Sequence, residues 1–169
     1  MTTNHAELDD CLEHYTRFRG VSARMLQLAP PDRLDYKPFQ TLRTLGEQFL
    51  HIAQVADFYS RGLFDHDWNF ARISPPPFTP THAMLQEKLA NNLQYVTERF
   101  ASFPLDQINS KVAVPNIPAE YSYRWWFLYL VQHEIHHKAQ IAIYLRELQI
   151  KPPFFAVAFP GDFRPDIRA

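Results

Sequence analysis

The sequence predicts an all-α fold, a four-helix bundle, and three observations carry that expectation. Its 14 prolines cluster at 30–38, 75–80, 104–118 and 152–165, leaving proline-free stretches at about 5–29, 42–64, 81–103 and 119–151. Proline breaks helix interiors, so the clusters act as punctuation between helices. Within each stretch apolar residues recur at spacings of three and four, the period of a helix with one buried face. Strand-like alternation is confined to Lys111-Val112-Ala113-Val114, which Pro115 cuts short, so at most a small hairpin precedes the last helix.

The first helix, from His5 to Leu28, carries Leu8, Cys11, Leu12, Tyr15, Phe18, Met25 and Leu28 as its stripe. The second should run from Leu45 to about Phe64, because Thr44 and Glu47 stand in the capping-box relation that satisfies the first free amides of a helix. Thr79 or Thr81 can start the third, with Pro80 suited to its first turn; Leu85, Leu89, Leu93, Val96 and Phe100 mark its buried side, and it should end near Ser102. The fourth, from about Tyr121 to Leu148, is the most apolar and has Ser122 as a cap. Burying four such stripes against one another makes a bundle, and the long connections leave room for a crossover. From Lys151 onward, PPFFAVAFPGDF is too aromatic for a solvated tail and is expected to pack across the bundle or on a second subunit.

Length and charge narrow the function. A chain of 169 residues suits a single domain over 1–169. With 17 Lys+Arg against 18 Asp+Glu the formal charge is −1, which gives no cation excess to drive binding to nucleic acid or anionic lipid. One cysteine, Cys11, excludes a disulfide framework and a cysteine-rich metal site, so any metal chemistry must use nitrogen and oxygen. A secretory leader and a membrane span are both lacking in the pattern, so the expected compartment is the cytoplasm.

The eight histidines carry the functional signal. Projected at 100° per residue, Trp126, Leu130, His133, His137, Gln140, Ile141 and Tyr144 fall near one direction, so His133 and His137 lie one turn apart on the inward stripe. Two neutral imidazoles so placed suit a divalent ion, and burying them without partners would be costly. A third ligand must come from another helix. His51, in the middle of the second helix, is the best candidate, although a lone histidine also reads as an ordinary hydrogen-bonded residue. His5, His14, His66 and His82 are weaker choices. His136 projects to the flank, and with Glu134 and Lys138 it reads as a solvated or interface edge. Trp125, Trp126, Phe49 and Phe127 read as core.

The segment LVQHEIHHKAQIAIYLRELQIKPP resembles the closing-helix signature of the DinB/YfiT-like superfamily, a His-x-x-x-His pair followed by Gln and a proline-rich exit. The segment YKPFQTLRTLGEQFLHIAQV is similar to that family's second-helix signature, with one histidine two turns in. The resemblance implies an up-down-down-up bundle holding one metal ion, commonly zinc or nickel, on three histidines, here His51, His133 and His137. It implies a homodimer acting on a small molecule, either as a thiol S-transferase using bacillithiol, mycothiol or glutathione, or as a metal-dependent hydrolase. The damage-inducible label of the family implies no DNA binding. Two positions depart from its glycines: Ala139, and Gln149 where a left-handed cap would end the helix, which puts that end in question.

Three neutral imidazoles leave a divalent ion its full charge and an open position, the arrangement of catalytic rather than structural sites. Such an ion lowers the pKa of bound water or ionises a bound thiol, so one site serves either reaction. Trp126, Tyr144 and Phe58 are candidates for the walls of the pocket. Glu47 could act as a base or orient a ligand, but its place in the capping box is the simpler role. The alternatives are a non-catalytic stress protein that binds a metal or small ligand, and a plain helical interaction domain.

Overall fold

The computed structural model describes residues 3–75 and 77–153, and four helices dominate them: α1 (Thr3–Leu28), α2 (Leu45–Asp65), α3 (His82–Ala101) and α4 (Tyr123–Glu147). The expected hairpin is a pair of two-residue strands, β1 (Lys111–Val112) and β2 (Tyr121–Ser122), antiparallel with Lys111 opposite Ser122.

Local chemistry sets the helix ends. The Thr44 hydroxyl accepts from the Glu47 amide at 3.1 Å while the Glu47 carboxylate accepts from the Thr44 amide at 2.7 Å, so the capping box is complete. Thr81 caps α3 through the Met84 amide, which places Pro80 ahead of the cap rather than in the first turn. Ser122 caps α4 through the Trp125 amide. At the far end of α4, Gln149 takes the left-handed conformation at φ 61° despite its side chain. The Gln149 amide donates to the Arg146 carbonyl and the Ile150 amide to the Leu145 carbonyl, the two bonds of a Schellman turn. Ile150 also packs on the cluster that holds Leu145, which offsets the roughly 1–2 kcal/mol cost of that conformation for a residue with a Cβ.

α3 and α4 each pack against both α1 and α2, so α1 faces α2 across one diagonal of the bundle. Residue pairs fix the directions. Cys11 and Phe127 line one cavity while Ser22 bonds Glu134, so α1 and α4 are parallel. The pairs Gln48–Tyr144 and Tyr59–Trp126 make α2 and α4 antiparallel. Tyr15–Asn92 and Leu26–His82 make α1 and α3 antiparallel, while α2 and α3 run the same way, from Ala53 beside Lys88 to Phe64 beside Phe100. The order is up-down-down-up. The parallel pair α2 and α3 is consecutive in sequence, so residues 66–81 must return the length of α2, about 30 Å at 1.5 Å per residue.

The apolar core is divided. One cluster gathers Tyr15, Val96, Phe100, Trp126 and Phe127, the other Met25, Phe49, Leu85, Ile141 and Leu145. At the level between them lie buried polar residues: Arg19, Ser22, Asn92, Glu134, His137 and Lys138. Arg19 donates to the Tyr15 hydroxyl and to Asn92 and pairs with Glu134, and the Lys138 ammonium lies 4.2 Å from the centre of the Phe18 ring. Glu134 and Lys138 are therefore not the solvated edge expected of them. α4 packs on α1 as well as α2, and the cation that compensates Glu134 comes from α1, where no spacing within α4 could reveal it. Trp125 is also corrected, being 40% exposed, whereas Trp126, Phe49 and Phe127 are core. The expected packing of the aromatic tail beyond Pro153 lies outside the described residues.

Candidate metal centre

His51 stands midway along α2, and His133 and His137 are one turn apart on α4. Because these helices are antiparallel neighbours, the three rings meet across the α2–α4 seam, at the level of the polar layer. Ring centres are 5.2 Å apart for His51–His133, 4.6 Å for His51–His137 and 4.4 Å for His133–His137. One nitrogen from each ring lies within 4.8 Å of the others, so the group could hold a metal ion. Nitrogens at about 2.0–2.1 Å from a tetrahedral ion stand roughly 3.4 Å from one another, a distance small ring rotations would reach. None of the carboxylates among the described residues joins the cluster.

Burial keeps the rings neutral. Removal from water, reinforced by Arg43 and the neighbouring histidines, lowers the pKa of His51 to about 4. His133 is lowered to about 2, first by burial and then by His137, His51 and Arg19. His137 falls to about 4, again mainly through burial. Each ring therefore presents a lone pair at neutral pH, the form a metal requires. Among the described residues, His137 alone of the three has a hydrogen-bonded ring nitrogen. Three neutral imidazoles gathered this closely, with no carboxylate among the described residues in the group, fit a divalent cation.

His137 is also oriented from behind. Its Nδ1 lies 3.0 Å from the Gln48 amide oxygen and 2.9 Å from that of Gln140, so Nδ1 carries the proton and Nε2 is left for the cluster. Gln48 in turn donates to the Tyr144 hydroxyl at 3.4 Å, and that hydroxyl donates to the Arg43 carbonyl at 2.7 Å. Sequence reading gave neither glutamine a role. The available signal was a glutamine one turn before His51 and another one turn after His137, on faces otherwise apolar.

The other candidates go elsewhere. His14 stacks near Phe18, His66 ends α2 in a left-handed conformation, and His82 bonds the Leu26 carbonyl. The side chain of His5 lies outside the described residues. His136 is exposed and reaches only the edge of the cluster, 4.9 Å from the His137 ring. Of the expected pocket walls, Tyr144 lines a cavity beside the site, whereas Trp126 and Phe58 are buried against Tyr59 and against Trp68 and Phe70. Among the described residues no helix is long and apolar enough to cross a membrane.

The crystal structure of a DinB-like protein (YjoA) from Bacillus subtilis is similar over 89% of this chain and 99% of that one, with a TM-score of 0.72 at 17% identity. A DinB-like protein from Bacillus cereus ATCC 10987 covers 86% of this chain and 95% of its own, with a TM-score of 0.71 at 15% identity. At such identities the likeness speaks for the fold alone. No curated protein matches the chain. The family model of the DinB superfamily matches residues 14–141, a span that takes in all three clustered histidines, and the chain belongs to that superfamily.

Proposed function

We propose that the chain binds one divalent metal ion, zinc or nickel, through His51, His133 and His137 and uses it to act on a small molecule. The observation that carries this reading is the meeting of three neutral imidazoles from two helices at a place where His51 and His133 remain half-exposed, so that a further ligand can approach. When bound, such an ion supplies Lewis acidity to an oxygen or sulfur donor in the open position. The protein's own part is to hold the rings, fix the tautomer of His137 through Gln48, and keep water away on the core side.

Between the two reactions, thiol S-transfer is favoured over hydrolysis. Hydrolysis must also protonate its leaving group, and the carboxylates closest in sequence to the clustered histidines are engaged elsewhere, Glu47 at the cap of α2 and Glu134 with Arg19 and Ser22. Bacillithiol, mycothiol and glutathione are the thiols to examine. The lack of a carboxylate in the cluster also supports a second reading, a stress protein that binds a metal or small ligand without catalysis. Elemental analysis of the purified protein beside His51→Ala, His133→Ala and His137→Ala tests the metal: full metal content with unchanged affinity in all three variants removes the basis of the proposal. Assays with each thiol plus an electrophile, and with activated esters and amides, then separate transferase, hydrolase and binder.

The same reading takes the protein as a homodimer. Trp125, Leu128 and Ile135 are exposed along α4 and offer a face for a second copy. Light scattering of the wild type and of Leu128→Asp tests it, with a monomeric wild type as the contrary result.

A further inference from the structure

Large apolar side chains left in water forgo the gain of burial, and a group of them around one hollow marks a surface that something covers. Phe39, Leu42 and Ile143 are 70%, 40% and 56% exposed, and all three line one cavity of about 380 Å³ between the 38–42 segment and the last turns of α4. The volume is that of a small-molecule pocket. Tyr144 contributes to its wall, and Gln48 and Gln140 line it as well, the same two glutamines that face Nδ1 of His137. Among the described residues neither lysine nor arginine lines the cavity, and the one carboxylate that does is the exposed Glu147.

The two glutamines join the cavity wall to the histidine cluster, and their hydrogen bonds to His137 are not equivalent. Nδ1 of a neutral imidazole carries one proton, yet two amide oxygens face it. Gln48 is 3% exposed and its amide nitrogen is held by Tyr144, so it is fixed. Gln140 is half-buried, and its other end reaches only the exposed His136, at 3.2 Å. Gln140 can therefore swing away without leaving the His137 ring unpaired. It stands between the apolar cavity, which it lines, and His137 of the cluster.

We infer that the cavity receives the apolar part of the molecule on which the histidine centre acts. The compound would place a polar head, a thiol or a carbonyl, over His51, His133 and His137, and pass an uncharged alkyl or aryl arm by Gln140 into the space between Phe39, Leu42, Ile143 and Tyr144. The placement of the head rests on the metal reading above; the apolar arm rests on the cavity. The described lining is apolar apart from two glutamines, Tyr144 and Glu147, so it suits an uncharged arm better than one that carries a carboxylate or phosphate.

Two measurements test this. In the first, 1-hexanol is titrated into the metal-free protein with leucine and isoleucine methyl groups labelled. Saturable shifts centred on Leu42 and Ile143 are expected, and no shift, or shifts scattered over the core, would overturn the assignment of the cavity. In the second, ethanethiol and 1-hexanethiol are compared on Co(II)-loaded protein through the thiolate-to-cobalt absorption band. Each buried methylene is worth about a fourfold gain, so the four extra methylenes of the longer thiol should tighten binding by about 250-fold if all are buried and by about sixteenfold if only two are. Ile143→Asp should bring the two thiols to within about threefold, since a charge there opposes burial of the chain. Equal affinities in a protein that does bind cobalt and ethanethiol would overturn the inference and leave the metal reading standing. Failure to bind cobalt at all would overturn the metal reading and, with it, the link between cavity and centre, and the hexanol titration would still decide whether the cavity binds apolar molecules.

Discussion

Arg19 of α1 and Glu134 of α4 form an ion pair at 3.2 Å with both side chains sealed from water. Ser22 donates a hydrogen bond to the same carboxylate. The contact joins two parallel helices at the level where the apolar core is interrupted, and Glu134 is the residue next to His133. It thus ties the α4 backbone that carries the two paired histidines to α1.

Removing one partner of a sealed pair leaves the other charge uncompensated. Glu134→Gln is expected to lower unfolding free energy by roughly 3–5 kcal/mol. The double variant Arg19→Met, Glu134→Leu removes both charges and should lose less than the single one. Urea unfolding of the wild type, the single and the double variant checks this, and a double variant that loses as much as the single one would contradict it.

Gln48 acts on the centre only through His137. Gln48→Leu is expected to weaken metal binding by about 10–100-fold, because the tautomer and orientation of the ring are no longer held. Competition against a chromogenic chelator reads the affinity. Thermal unfolding of the metal-free variant shows whether the fold itself has been harmed.

The three clustered histidines have folded-state pKa values of about 4, 2 and 4, against a usual value near 6.5. Below that usual value the unfolded chain takes up protons that the folded chain refuses, so stability must fall as pH drops. For metal-free protein the loss should begin near pH 6.5, with the His51 and His137 contributions complete near pH 4 and that of His133 continuing toward pH 2. Urea midpoints across that range check it, and His133→Phe should flatten the slope.

Gly62 is required by contact. A Cβ there would lie 2.2 Å from carbons of the Trp68 ring, which packs edge-on against Phe58. Gly62→Ala should cost roughly 1–3 kcal/mol as the ring is displaced, despite the better helix propensity of alanine. A variant as stable as the wild type, with unchanged tryptophan fluorescence, would show that the ring moves freely.

The helices were legible because each announces itself locally. Thr44, Thr81 and Ser122 sit where their hydroxyls meet free amides, and prolines bar continuation. The left-handed end at Gln149 was harder, since the stabilising contact, Ile150 against the core, is tertiary. The His133–His137 pair was visible because four residues make about one helical turn, and His51 stood out by its place in the middle of α2, a choice that the resemblance to a family reinforced.

The sequence by itself determined where helices start and stop and which two histidines share a face. Those follow from bonds and spacings within a few residues. Only the tertiary structure decided that His51 reaches the pair, that Arg19 neutralises Glu134, and that Gln48 and Tyr144 stand behind His137. Each of these joins residues far apart in the chain, and the partner of a buried polar group is set by which helices are neighbours, a property of the packing as a whole.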